Sequence, residues 1–142
     1  MKYPQVVVYE SDGSLARQVR RLAAENSWLV REPRRPESCL ELLADFRPSV
    51  LLLKLEDELH AGLSLLAQVT QLAPRCSVIL VSDVKMEGAE QRAQLSALAF
   101  DLGAKHTLFP PLQQSVIEDL VSGLLTASIR RTLGSSIETD DA

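Results

Sequence analysis

Short apolar runs separated by longer amphipathic segments are the main pattern in this sequence. Three runs are nearly continuous in valine, leucine and isoleucine, at 5–9, 49–55 and 77–82. Two weaker runs lie at 27–32 and 106–109. Because continuous apolar runs are typical of strands that are covered on both faces, the pattern predicts a parallel sheet.

The segments that follow the runs have the apolar spacing of helices. They lie at 14–28, 36–46, 62–73, 89–103 and 113–134. The predicted inner faces of the first, second and last are Leu15, Val19, Leu22 and Ala23; Cys39, Leu40, Leu43 and Phe46; and Val116, Leu120, Val121, Leu124 and Leu125. Pro36 suits a first helical position, and Gly103 suits a helix end.

The regular alternation of strand and helix predicts an α/β fold with three layers, in which a doubly wound parallel sheet lies between helices. We expect one domain over residues 1–126. Residues 127–142 should be an extension of the last helix followed by a disordered acidic tail. In such folds, ligands bind outside the carboxyl ends of the strands.

Composition removes several classes of function. The 142 residues carry a formal net charge of −4, which argues against a nucleic-acid-binding face. Arg31, Arg34 and Arg35 are close in sequence, and we interpret them as a solvated loop rather than a phosphate-binding patch. Cys39 and Cys76 lack metal-ligand spacing and are expected to be buried, reduced thiols. Without a signal peptide or a run of about 20 apolar residues, we expect a cytoplasmic protein away from membranes.

The predicted carboxyl ends of the strands collect the polar residues that could carry chemistry. The first strand ends at residues 10–12, Glu-Ser-Asp, and the third at Lys54. The fourth ends at residues 82–83 and the fifth at residues 109–111. A single lysine therefore lies at the end of a buried strand, close to several carboxylates.

Three stretches resemble the receiver domains of two-component response regulators. They are "VVVYESD" at the first strand, "KLEDELHAGLSLL", in which Gly62 follows Lys54 by eight residues, and "DLGAKHTLFPPLQQSVIEDL". The resemblance covers about residues 4–125. It implies a flavodoxin-like five-stranded parallel sheet of order 2-1-3-4-5, with helices 1 and 5 on one face and helices 2, 3 and 4 on the other.

In the receiver family, an acidic pair and an aspartate after strand 3 hold Mg²⁺, and that aspartate accepts a phosphoryl group from a histidine kinase. Here Glu10 and Ser11 stand at the acidic pair, with Asp12 beside them. Lys54 stands at the phosphoacceptor position. By the resemblance, only one carboxylate of the pair remains.

Other family positions lie after strands 4 and 5. Ser82 keeps the hydroxyl that binds phosphoryl oxygens in the family, whereas Thr107 replaces the switch aromatic. Pro110 replaces the phosphate-binding lysine, and Pro111 keeps a proline whose preceding peptide bond is cis in the family. We therefore expect a cis peptide before Pro111.

These departures predict a receiver fold that has lost its reaction, a pseudo-receiver that is not an enzyme. An ammonium cannot replace the carboxylate nucleophile of phosphoryl transfer. A lysine among the remaining acids also opposes Mg²⁺, so we expect no cofactor. Lys54 should form an ion pair with Glu10; the alternative is that its side chain reaches solvent from the strand end.

Two segments bear on partners. The segment 83–94 is longer than the family pattern by about six residues. It is either a longer helix 4 or surface loop, or else a lid over the vacant pocket or an element that binds a partner. In the family, the face of helix 4, strand 5 and helix 5 carries partners and homodimers. The apolar spacing of the last helix continues through Ile129 and Leu133. We expect a protein partner, or a second copy, on this face.

Two other functions stay open from the sequence. One is a flavodoxin-like domain that binds a small ligand, although "SDGSLA" after the first strand is a weak phosphate-loop signal. The other is a working receiver that is phosphorylated at Glu56 or Asp57, beyond the strand end. His60 and His106 have no evident catalytic partners and are interpreted as surface or packing residues.

Overall fold

Strands and helices alternate along the chain as the hydrophobic pattern predicts. The computed structural model describes residues 2–83, 86 and 88–140. The elements are β1 (Gln5–Tyr9), α1 (Ser14–Asn26), β2 (Leu29–Arg31), α2 (Pro36–Leu43), β3 (Ser49–Leu55), α3 (Leu59–Leu72), β4 (Ser77–Ser82), α4 (Ala89–Asp101), β5 (His106–Leu108) and α5 (Gln114–Asp140). The three strongest apolar runs coincide with β1, β3 and β4.

The sheet has the order β2-β1-β3-β4-β5, and every adjacent pair is parallel. One row across it joins Val8 to Leu52, Leu52 to Ile79 and Ile79 to His106. The predicted order and direction are confirmed. Because all strands run the same way, their carboxyl ends share one edge of the sheet, which we call the carboxyl edge.

Helices cover both faces of the sheet, so β1, β3 and β4 are buried on two sides. On one face, α1 and α5 bury the side chains Leu15, Val19, Ile117, Val121 and Leu125. On the other face, α2, α3 and α4 bury the side chains Cys39, Leu43, Leu66, Val69, Leu95 and Ala99. This division of the helices confirms the predicted three-layer arrangement.

Several details of the helices differ from the sequence prediction. Phe46 lies beyond the end of α2 and is 87% exposed, so it is not part of the core. On α5, the buried apolar side chains that the structure describes are Ile117, Val121 and Leu125, whereas Val116 is 40% exposed. The spacing of four fits one helical face, but packing against the sheet and α1 selects which apolar residues on the helix face inward.

Two further predictions concern the C-terminal part of α5 and the segment before α4. Helix α5 continues to Asp140, so residues 135–140, which the sequence predicts to be disordered, are helical. The segment 83–94, predicted to be longer than in the family, lies partly outside the described residues, and α4 begins within it at Ala89. Of the helices described, none has the length and apolar character needed to cross a membrane.

Gly103 lies where the chain leaves α4 and approaches α3. Its φ of +112° is in the left-handed region, which residues with a Cβ rarely adopt. A Cβ at this position would lie 2.1 Å from Thr70 Oγ1 and 2.9 Å from Thr70 Cβ. The Thr70 hydroxyl donates a hydrogen bond to the Leu102 carbonyl at 2.7 Å, which holds it in place.

We expect Gly103→Ala to lower the free energy of unfolding by about 2 kcal/mol or more, because strain and a steric clash add at one residue. Gly123→Ala is the matched control, since a Cβ there meets nothing within 4 Å. In the middle of α5 it should raise stability by about 0.5–1 kcal/mol. Urea unfolding of both variants measures this, and equal effects would contradict the packing described for Gly103.

Candidate functional site

The carboxyl edge brings together most of the polar residues that the sequence singles out. Tyr9, the last residue of β1, pairs with Leu53, and Ser82, the last of β4, pairs with Leu55. Residues 10–12 therefore emerge beside the end of β3, next to Lys54. Parallel strands that end together place these side chains in one cluster, although they are far apart in sequence.

Lys54 is the charged centre of this cluster. Its side chain is 5% exposed. The Nζ atom lies 3.2 Å from each carboxylate oxygen of Asp12 and donates to the Ser14 hydroxyl at 3.2 Å. Asp83 lies 3.8 Å from Nζ, and Glu10 lies 4.0 Å from it. The ammonium is therefore surrounded by three carboxylates and one hydroxyl.

The expected ion pair of Lys54 with Glu10 is present at the limit of ion-pair distance, and Asp12 is the closer partner, which the sequence analysis did not predict. Glu10 lies at the edge of ion-pair distance, whereas Asp12 contacts the ammonium with both oxygens. The alternative expectation, a lysine that reaches solvent, also fails because the side chain is almost completely buried. Burial requires a compensating negative charge, and the turn after β1 supplies it through Asp12.

Glu10 binds backbone N–H groups at the start of α1, which explains its distance from the Lys54 ammonium. Its carboxylate accepts hydrogen bonds from the backbone N–H groups of Leu15 at 2.9 Å and Ala16 at 3.0 Å. These groups lie in the first turn of α1, where N–H groups have no partner within the helix. A carboxylate at this end is also stabilised by the helix dipole. Glu10, with a side chain 2% exposed, therefore anchors α1 to the sheet.

Asp12 is held as a carboxylate by several donors. The backbone N–H of Ser14 donates to it at 3.0 Å and the Ser14 hydroxyl at 2.9 Å. These two hydrogen bonds, followed by the hydrogen bond from Lys54, hold the pKa of Asp12 far below its usual range. Its side chain is 55% exposed, so water contributes to its solvation as well.

Ser11 is engaged by two residues that the sequence analysis did not place at the site. Its backbone N–H donates to Glu56 at 3.0 Å, and its hydroxyl donates to the other oxygen of the same carboxylate. Arg34 donates to the Ser11 carbonyl at 3.2 Å from the loop between β2 and α2. The sequence offered little signal for this, because Glu56 is one of three consecutive acids and Arg34 one of several nearby arginines.

The remaining predicted positions lie at the end of β4, on β5 and directly after β5. Ser82 is fully buried, Thr107 and Phe109 are partly buried, and Pro110 is exposed. The peptide bond between Pro110 and Pro111 is cis, at the position where the sequence predicts one. The guanidinium of Arg92 on α4 lies 5.8 Å from the ring centre of Phe109, a cation–π contact that the sequence analysis missed.

Two further observations limit the chemistry of the chain. Within the described part, no three His, Cys, Asp or Glu side chains are arranged to hold a metal ion. Cys39 and Cys76 are both free thiols, but Cys76 is partly exposed rather than buried as expected. Burial raises the pKa of the Cys39 thiol to about 12, so it is not a reactive nucleophile at neutral pH.

Comparison with known proteins identifies the fold. No protein-family model matches this chain, and no curated protein sequence matches it. Among solved structures, a CheY-like response regulator receiver domain protein from Methanospirillum hungatei JF-1 superposes with a TM-score of 0.71 at 13% identity, covering 92% of this chain and 99% of that one.

Two other solved structures give the same result. The signal receiver domain of a putative Luxo repressor protein from Vibrio parahaemolyticus has a TM-score of 0.72 at 18% identity and covers 93% of this chain and 97% of its own. A response regulator from Thermotoga maritima has a TM-score of 0.69 at 13% identity, with coverage of 89% and 99%. The chain therefore has the receiver fold.

We expect Asp12→Asn to lower the free energy of unfolding at pH 7 by about 1–2 kcal/mol, because it leaves the Lys54 ammonium with less compensation. The pKa of Asp12 is lowered in the folded state, so its contribution is present above the pKa of the unfolded chain and is lost as pH falls towards the folded value. The difference between wild type and variant should therefore shrink below about pH 4.

Urea unfolding at a series of pH values measures this difference. Asp57→Asn is the matched control, because Asp57 is exposed and lies outside the cluster; its effect should stay near zero throughout. A difference for Asp12→Asn that is constant between neutral and acid pH would show that charge pairing at Asp12 does not stabilise the fold.

Proposed function

We propose that this chain is a pseudo-receiver, a regulatory module that works through protein–protein contacts and independently of phosphorylation, in the cytoplasm of a bacterial signalling or transcription-control system. It is not an enzyme in this proposal. The observation that carries it is the buried Lys54 ammonium, held by both oxygens of Asp12 at the position where the receiver family has its phosphoacceptor.

The chemistry of phosphoryl transfer supports this proposal. A receiver needs a carboxylate nucleophile at the end of β3, and an ammonium paired with carboxylates has no free electron pair with which to attack phosphorus. The nearby acids do not replace it in this proposal. Glu56 accepts two hydrogen bonds from Ser11, and Asp57 is exposed beyond the strand end. Phosphoryl transfer depends strongly on position, which disfavours both.

We also propose that Mg²⁺ does not bind at the carboxyl edge. The ion needs several oxygen ligands in a regular geometry, most often with carboxylates among them. Here the Glu10 carboxylate is occupied by two backbone N–H groups, and the Asp12 carboxylate is occupied by Ser14 and Lys54. A metal ion would have to displace a buried cation that already compensates these charges, so the donor set does not fit it.

The partner surface of this proposal is the face of α4, β5 and α5. Leu98 and Phe100 on α4 are 46% and 71% exposed, and Val116 on α5 is 40% exposed. Exposed apolar side chains in this part of the fold support contact with a protein partner or a second copy. The cation–π contact between Arg92 and Phe109 links the start of α4 to the residue that follows β5.

The proposal predicts no response of the wild-type chain to phosphorylation reagents. Incubation with Mg²⁺ and a small phosphodonor should leave its mass unchanged. With Mg²⁺ and beryllofluoride, its backbone amide NMR spectrum should stay the same, because the Lys54 position offers no carboxylate to modify. A mass increase of one phosphoryl group, or saturable shifts around residues 10–12 and Ser82, would contradict the proposal and favour a working receiver.

Two substitutions at Lys54 test whether the ammonium stands in for a metal. Lys54→Asp places a further carboxylate beside Glu10, Asp12 and Asp83, so repulsion should lower the Tm and millimolar Mg²⁺ should restore part of it. Lys54→Met is the control, since it removes the ammonium without adding a ligand and should not respond. A Tm of Lys54→Asp that ignores Mg²⁺, or a wild-type Tm that rises with it, would contradict this interpretation.

A further inference from the structure

A cavity opens at the end of the sheet opposite to Lys54, where the strands begin. Three segments form its walls: residues 43–49 between α2 and β3, residues 72–76 between α3 and β4, and the part of α5 from Ser128 to Gly134. Its volume is about 830 Å³. Cavities that bind small organic molecules in proteins commonly have about 300–1,000 Å³, so this one has the size of a ligand site.

Large apolar side chains lie at the cavity without cover. Phe46 is 87% exposed and Leu72 is 65% exposed, although both line a concave surface. A scattered exposed leucine needs no explanation, but a phenylalanine and a leucine beside one cavity form a patch that favours binding of an apolar group. Leu43, Ala73 and Pro74 continue the apolar lining inward.

Two of the arginines that line the cavity have no charged partner among the residues that the structure describes. Arg47 donates to Asp45 at 2.8 Å, and Lys2 binds the same carboxylate. The hydrogen bond from Lys2, followed by that from Arg47, holds the pKa of Asp45 below its usual range. This carboxylate is therefore ionised, and its charge is already compensated by these two cations. Arg75 and Arg131, by contrast, make no ion pair or side-chain hydrogen bond with any described residue.

From these observations we propose that the cavity binds a small apolar organic anion, meaning an aromatic or aliphatic body that carries a carboxylate or a similar acid group. The body would fill the space beside Phe46 and Leu72, and the acid would pair with Arg75 and Arg131. Two arginines at one cavity, without an ion-pair partner among the described residues, are complementary to an anion. This proposal does not depend on the state of the Lys54 site.

The probe for the first test is 8-anilinonaphthalene-1-sulfonate, an apolar anion whose fluorescence rises when it leaves water. We expect saturable binding to the native chain with one site. The double variant Arg75→Gln/Arg131→Gln should weaken it by about tenfold or more, because charge-assisted hydrogen bonds are lost. Arg17→Gln/Arg21→Gln on α1 removes the same charge from a distant exposed surface and should leave binding unchanged.

A second measurement locates the probe and identifies the role of charge. Amide NMR shifts should concentrate at Phe46, Leu72 and Thr132, and the uncharged N-phenyl-1-naphthylamine should bind about tenfold or more weakly than the anion. Equal binding of the two probes, insensitivity to the arginine substitutions, or shifts centred on Phe100 would overturn the proposal. So would a chain dimer in sedimentation that Phe46→Ser dissociates, because a second copy would then cover the cavity.

Discussion

The ion pair between Lys54 and Asp12 is the contact on which the carboxyl edge of this protein depends. Lys54 lies on a fully buried strand whose other residues, apart from Ser49 at its start, are apolar, so its ammonium has little water around it. A charge in that position is tolerated only if carboxylates and hydrogen-bond acceptors surround it. Asp12 and Ser14 meet this requirement, and in doing so they fix the turn between β1 and α1 against the end of β3.

The neighbouring polar contacts follow from this arrangement. With Asp12 committed to the ammonium, Glu10 is available to receive the first N–H groups of α1. Ser11, between them, is held by Glu56 from the loop after β3 and by Arg34 from the loop after β2. Three loops are thus joined by hydrogen bonds between protein groups, which supports the proposal that this edge is a fixed structure.

The sequence predicted the strands well because their apolar runs depend on burial alone. The residues of β1, β3 and β4 were predicted from these runs, whereas the sheet order and the layer of each helix were implied by the resemblance to receiver domains; all are confirmed. The inner face of α5 was predicted only in part: Val121 and Leu125 are buried as expected, but Ile117 is buried rather than Val116, because both are apolar and only packing against the sheet decides between them. Phe46 was placed in the core because periodicity cannot show that a helix ends at Leu43.

The candidate site was predictable in its members but not in its pairing. The predicted strand ends include Glu10, Asp12 and Lys54. Glu10 and Asp12, however, lie two residues apart in a turn, where the direction of the backbone changes. That direction decides which carboxylate faces the helix and which faces the lysine. Glu56 and Arg34 contact Ser11 through loops whose course no periodicity describes. The cavity at the opposite end depends on how far α5 extends past the sheet, which is likewise a matter of packing.

The most direct test is to observe the Lys54 ammonium itself by nitrogen–proton correlation NMR of lysine side chains at neutral pH. Exposed ammonium groups such as that of Lys105 exchange their protons with water too quickly to give a sharp signal. We predict a slowly exchanging signal for Lys54 that Asp12→Asn weakens or abolishes. A Lys54 signal that exchanges as fast as that of Lys105, or one that Asp12→Asn leaves unchanged, would contradict a buried ammonium held by Asp12.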